Sequence, residues 1–146
     1  MVIYTDGSCQ HLTHKGGWGA VITKDDGTLI TEGNGFESDT TNNRMELTAV
    51  IMAIRQIKPQ PVRKSITVVT DSRYVQTGIE NFRDWISRNM HTAGGTEVKN
   101  QDLWMELIRE LKQRNLFMVV KKVEGHSGHP MNERADKLAK AARAKA

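Results

Sequence analysis

Two short apolar runs in this chain stop at the same dipeptide. "MVIYTDGS" ends its run at Thr5-Asp6, and "SITVVTDS" ends its run at Thr70-Asp71. β-branched and aromatic residues in an unbroken row read as strands at the middle of a sheet, covered on both faces. Open α/β sheets place their ligand sites beyond the carboxyl ends of such strands, where strand order reverses. If the two strands are neighbours, Asp6 and Asp71 face each other. Two carboxylates that close are unfavourable unless one is protonated or a cation bridges them. A single Asp before Gly or Ser is ordinarily a turn or cap residue. The repetition outweighs that reading.

The rest of the chain supplies the elements such a sheet needs. Residues 16–36, "GGWGAVITKDDGTLITEGNGF", read as a hairpin with Asp26-Gly27 at its turn. "TTNNRMELTAVIMAIRQIK" is the clearest helix, with Leu47, Val50, Ile51, Ile54 and Ile57 at helical spacing. Thr41, Asn42 or Asn43 can cap it, and Pro59 and Pro61 end it. Ser65–Thr70 is a strand, followed by a short helix over Ser72–Asn81. Residues 82–100 are mixed, with Gly94-Gly95 marking a loop. A helix starting at Asn100 or Asp102 carries Leu103, Trp104, Leu107, Ile108 and Leu111. Residues 116–123 form another strand, "EGHSGHPMN" is a loop, and a last helix runs from about Asn132. The expected fold is α/β, a mixed sheet with helices on its faces. At 146 residues, 1–146 make one domain with one core.

The bulk numbers exclude several classes. No apolar run approaches the roughly 18 residues of a membrane span. Tyr4-Thr5-Asp6 interrupts the start of the chain where a secretory leader would be apolar. One cysteine, Cys9, rules out an internal disulfide framework, so a reducing, cytoplasmic setting is expected. A net charge of +4 accords with an anionic partner such as nucleic acid, and equally with a merely soluble surface.

Glu46 shares a helical stripe with Val50, Ala53 and Ile57, so it points toward the sheet. It is placed in the first turn, where the helix dipole tolerates negative charge. A capping-box pairing with Asn43 is the competing reading. Asp136, on the last helix, looks by itself like a solvated helix residue. Converging carboxylates without a Cys or His cluster select a hard cation, Mg²⁺ or Mn²⁺. His126 and His129 could recruit zinc only with a third soft ligand, and none is near in sequence.

Taken together, "YTDGS", "TTNNRMEL", "TDSRYV", "VKNQDLW" and "GHSGHPMNERAD" resemble the motifs of a bacterial-type (type I) ribonuclease H, in order along essentially the whole chain. The resemblance implies a ribonuclease H-like fold, a five-stranded mixed sheet flanked by helices. It implies hydrolysis of the RNA strand of RNA–DNA hybrids by a two-metal-ion mechanism, leaving 5′-phosphate and 3′-hydroxyl ends. Asp6, Glu46, Asp71 and Asp136 would be the metal ligands, holding two ions with substrate. His126 would assist proton transfer or product release, and Glu133 matches an acidic residue near the second metal. Cys9, Thr41, Asn42, Asn43, Arg44, Arg73, Trp85 and Lys99 match positions that meet the hybrid or shape its groove. The segment at about 82–100 would be the basic protrusion. A monomer with no membrane association is expected.

Three features depart from that pattern. The loop "QHLTHKGG" puts Leu12 where an Asn contacting RNA is usual. The protrusion keeps Trp85, Arg88 and Lys99 but has Ile86, Ser87, Met90, Gly94, Gly95 and Glu97 among them, which predicts weaker affinity and a shallower salt slope. Arg73 and Thr77 stand where Gln is frequent. The main alternative is a hybrid-binding module without catalysis, against which stands the presence of every carboxylate. An actin-like ATPase would need two such domains. A domain cut from a polymerase fits the bacterial-type protrusion less well.

Overall fold

The computed structural model describes residues 1–125 and 129–146. Along the chain these form β1 (Val2–Cys9), β2 (Gly16–Thr23), β3 (Leu29–Glu37), α1 (Asn42–Arg55), β4 (Lys64–Thr70), α2 (Arg73–Ser87), α3 (Gln101–Arg114), β5 (Leu116–Lys122) and α4 (Pro130–Arg143). The strands make one five-stranded sheet in the order β3-β2-β1-β4-β5. β1–β2 and β2–β3 pair antiparallel, whereas β1–β4 and β4–β5 pair parallel. The expected mixed sheet is therefore present.

Side chains alternate across the sheet, so β1 and β2 each serve two layers. Ile3, Ala20 and Ile22 lie in the main core with Leu47, Val50, Ile54, Val75, Trp104 and Leu107. The opposite face of the same strands carries Gly17 and Gly19, which lie against the backbone of α4 at Ala135, Ala139 and Arg143. The Asp26-Gly27 turn forms as the sequence predicts: Thr28 N–H donates to Asp26 Oδ1 at 2.9 Å, and Gly27 takes a φ of +91°.

Three boundaries and the placement of one residue differ from the sequence reading. β1 runs on past Thr5 to Cys9, because β2 continues to pair with it as far as Cys9↔Gly16. α2 does not stop at Asn81 but reaches Ser87. Its added turns are held by Trp85, whose ring meets Trp104 edge-on at 5.4 Å. α4 begins at Pro130 rather than Asn132, since proline's fixed φ and missing N–H suit the first turn. Glu46 is the fifth residue of α1, so it lies in the second turn, and the first turn holds no acidic residue. The dipole therefore helps it less than the sequence reading supposes.

Candidate active site

β1 and β4 part just where the carboxylates begin. Their last paired residues are Tyr4 and Val69, and Asp6 and Asp71 follow on either side of the gap. β4 ends at Thr70, and Ser72 caps α2 by accepting from Val75 N–H at 3.1 Å. Asp71 is thus fixed between a strand end and a helix start. Asp6 sits opposite Gly19 and is 7% exposed.

Glycines bring the helices close enough for other acids to join. A Cβ on Gly7 would collide with the backbone of Met45 and Glu46. Only a glycine in β1 lets α1 approach so nearly, and that approach delivers Glu46. The stripe of Glu46 with buried Val50, Ala53 and Ile57 is as expected. Thr41 is the cap, its hydroxyl accepting from Arg44 N–H, so the capping-box reading of Glu46 fails. On the other face, Gly19 seats α4 so that Asp136 reaches a hydrogen bond with Asp6. Asp136 also pairs with Lys140 at 3.1 Å.

One carboxylate oxygen from each of Asp6, Glu46 and Asp71 lies within 4.8 Å of the others. Among the described residues, buried Glu46 Oε2 has no hydrogen-bond partner. Burial pushes the Asp6 carboxyl up to about 7, helped by its hydrogen bond to Asp136 and the charge of Asp71. Glu46 is raised well above the ordinary carboxylate range, first by burial and then by the charges of Asp6 and Asp71. Among the described residues the cluster gathers like charges and leaves one buried carboxylate oxygen without a partner. Oxygen-only donors at this separation suit a hard divalent cation, which would satisfy both deficits. The residues present fit such an ion.

The remaining predicted residues fall around this centre. Asn42 accepts the Cys9 N–H through Oδ1 at 2.7 Å, joining the end of β1 to the start of α1. Burial raises the Cys9 thiol, which accords with an ordinary thiol rather than a nucleophile. Asn43, Arg73 and Lys99 are exposed. Trp85 is half-buried against Trp104, so its ring is committed to packing. Arg44 does not stand free; it holds Asp102 with both terminal nitrogens. His126 lies outside the described residues. Its neighbour Gly125 lies beside the Asp71 carboxylate, and His129 stacks on Tyr4 at 5.1 Å. Glu133 lies in the first turn of α4. Sequence reasoning missed Gly7, Gly17 and Gly19. The only signal was glycine spaced along strand-like runs, which marks close backbone approach.

Carboxylates gathered where parallel strands part, in a sheet of this order, mark a class of protein built around a candidate divalent-metal centre. Comparison with known proteins identifies the family within it. The ribonuclease H family profile matches residues 1–144. Ribonuclease H from Hahella chejuensis is 46% identical over 138 residues, covering 94% of this chain and 88% of the relative. Ribonuclease H from Thiobacillus denitrificans is 48% identical over the same coverage of each chain. Among solved structures, a type 1 ribonuclease H with the type 2 active-site motif superposes with a TM-score of 0.78 at 30% identity, over 99% of this chain and 72% of that one. The foamy viral protease-reverse transcriptase in complex with an RNA/DNA hybrid gives 0.79 at 25% identity, over 99% of this chain and 20% of that one. The chain belongs to the ribonuclease H family.

Proposed function

We propose that this protein is an endoribonuclease that cuts the RNA strand of RNA–DNA hybrids, leaving 5′-phosphate and 3′-hydroxyl ends. The observation that carries the reading is the convergence of Asp6, Glu46 and Asp71 within 4.8 Å, in a chain of this family. Asp6, Glu46, Asp71 and Asp136 would hold two Mg²⁺ ions, with Mn²⁺ able to replace them. Bound divalent cations supply a water acidic enough to attack as hydroxide near neutral pH and offset charge on the leaving oxygen.

The chain's own groups do the rest. Asp6 hydrogen-bonds with both Glu46 and Asp136, so it would hold a cation in concert with either of them. Glu46, Asp71 and Asp136 would complete the ligand set. His126 would carry a proton to or from the reacting phosphate, work that suits a histidine because an unperturbed imidazole titrates near neutrality. Asn42 and Asn43, at a helix start, would meet sugar and phosphate; the 2′-hydroxyl is what separates RNA from DNA there. Arg73 and Lys99 would neutralise phosphates on either side. The chain would work as one catalytic domain and as a monomer, in the cytoplasm. Among the described residues no helix is long and apolar enough to cross a membrane.

The test is cleavage of a labelled hybrid, a duplex RNA and a duplex DNA in Mg²⁺ by the parent protein and by Asp6→Asn. The reading requires cleavage confined to the RNA of the hybrid and its loss in the variant. Hybrid binding without cleavage by the parent would turn the reading to a non-catalytic module.

A further inference from the structure

Three helix starts near the site are tied by one polar network that the chemistry above does not use. Arg44 Nη1 donates to Asn100 Oδ1 at 3.2 Å and to Asp102 Oδ1 at 3.0 Å, and Nη2 donates to Asp102 Oδ2 at 2.8 Å. Asn100 Nδ2 donates to the Tyr74 hydroxyl at 2.9 Å, and Trp104 Nε1 donates to the same hydroxyl at 2.9 Å. The Tyr74 hydroxyl donates in turn to the Lys99 carbonyl oxygen at 3.3 Å. Its full hydrogen-bonding capacity is used. Asn100 adopts a φ of +56° at the start of α3 and makes no side-chain cap. Its amide serves the network instead.

The pair is a poor stabiliser by position. Arg44 is 31% exposed and Asp102 is 65% exposed, and exposed ion pairs contribute little to folding. A bidentate fork does fix geometry, because two parallel bonds leave the planar group no rotation. The elements it fixes are the start of α1, which carries Asn42 and Asn43, and the segment leading into α3, which carries Lys99. Arg44 and Asp102 are 58 residues apart in sequence, yet the two surfaces they join would both face the hybrid in the proposed function, on which this inference rests.

We propose that Arg44 is a positioning residue. Held by Asn100 and Asp102, it locks the α1 start to the Lys99 segment and so presents the hybrid with one preformed footprint. It does not itself bind a phosphate. Preorganisation of this kind acts on affinity, because ordering is done before binding.

The experiment measures anisotropy of a labelled hybrid in EDTA, where no cleavage occurs, and KM and kcat in Mg²⁺. The proteins are the parent, Arg44→Ala, Asp102→Ala, the double variant and the exchange Arg44→Asp with Asp102→Arg. Arg44→Ala and the double variant should weaken binding by the same factor, about five- to tenfold, and Asp102→Ala in the same direction by no more than that, because Arg44 keeps its bond to Asn100. KM should rise in step while kcat at saturating hybrid stays within about twofold, and the exchange should recover most of the affinity. Tyr74→Phe, which cuts the link to Lys99 without touching charge, should weaken binding in the same direction. If Asp102→Ala binds as well as the parent while Arg44→Ala is weak, Arg44 is a phosphate ligand and the proposal is overturned. Multiplying single effects, or a fall in kcat at unchanged affinity, overturn it as well. A parent that neither binds nor cleaves hybrid refutes the functional reading itself.

Discussion

Asp6 would carry opposite duties in folding and in the proposed chemistry. Folded, it keeps its proton to about pH 7, whereas an unperturbed Asp loses it near 3.8. The metal-free fold thus binds more protons than the unfolded chain between those values. Stability falls as pH rises through that window and stays low above it. Asp6→Asn removes the repulsion, so in EDTA at pH 8 the variant should be more stable than the parent by on the order of 2 kcal/mol. Thermal melts with and without EDTA at pH 5 and pH 8 check this; equal midpoints at pH 8 would contradict it. The same substitution should cost several kcal/mol of transition-state stabilisation, about 10³-fold or more in kcat. Adding Mg²⁺ should raise the melting midpoint of the parent and leave Asp6→Asn nearly unmoved, because only the parent has the donor the ion needs. The pairing of Asp6 with Asp71 was legible because each sits in the same local pattern. Asp136 stood out only through the resemblance of "GHSGHPMNERAD" to a family motif, since nothing on its own helix distinguishes it from a solvated acid.

Elements, rather than single acids, decide whether the centre forms. α1 and α4 meet β1 and β2 at glycines, with no room for a methyl group at Gly7 or Gly19. Gly19→Ala should push α4 outward, at about 1–3 kcal/mol of stability, and should lower activity by moving Asp136. Gly33→Ala in β3 is the control, since a Cβ there meets nothing nearer than 3.8 Å. Denaturant unfolding of both variants checks the contrast, and equal losses would contradict it. α1 could be read from sequence because its period and its Thr41 cap are local. The last turns of α2 could not, because what holds Trp85 is Trp104, on another helix. The extension of β1 beyond Asp6 was hidden for a similar reason: β2 supplies the pairing, and β4 has already left.

Over the whole molecule, charge sets how the hybrid is held. Arg73, Arg88 and Lys99 are exposed cations at the site and along the segment that follows α2. Arg88 is already paired with Asp84 at 3.0 Å. If Arg73, Lys99 and a released Arg88 each neutralise a phosphate, log affinity should fall with log salt at a slope of about −2 to −3. Hybrid binding in EDTA at 50 and 200 mM salt measures it, and a slope near zero would show that these cations do not meet phosphate. The neutral residues among the cations of the 82–100 segment were plain in the sequence. Its anchoring through Tyr74, Asn100 and Trp104 was not, because those side chains come together only once α2 and α3 pack.

Diffraction from crystals grown with Mn²⁺, recorded at the manganese absorption edge, tests the central claim most directly. The account predicts an anomalous peak about 2.1 Å from oxygens of Asp6, Glu46 and Asp71. Saturating Mn²⁺ with no peak among those three side chains would contradict it.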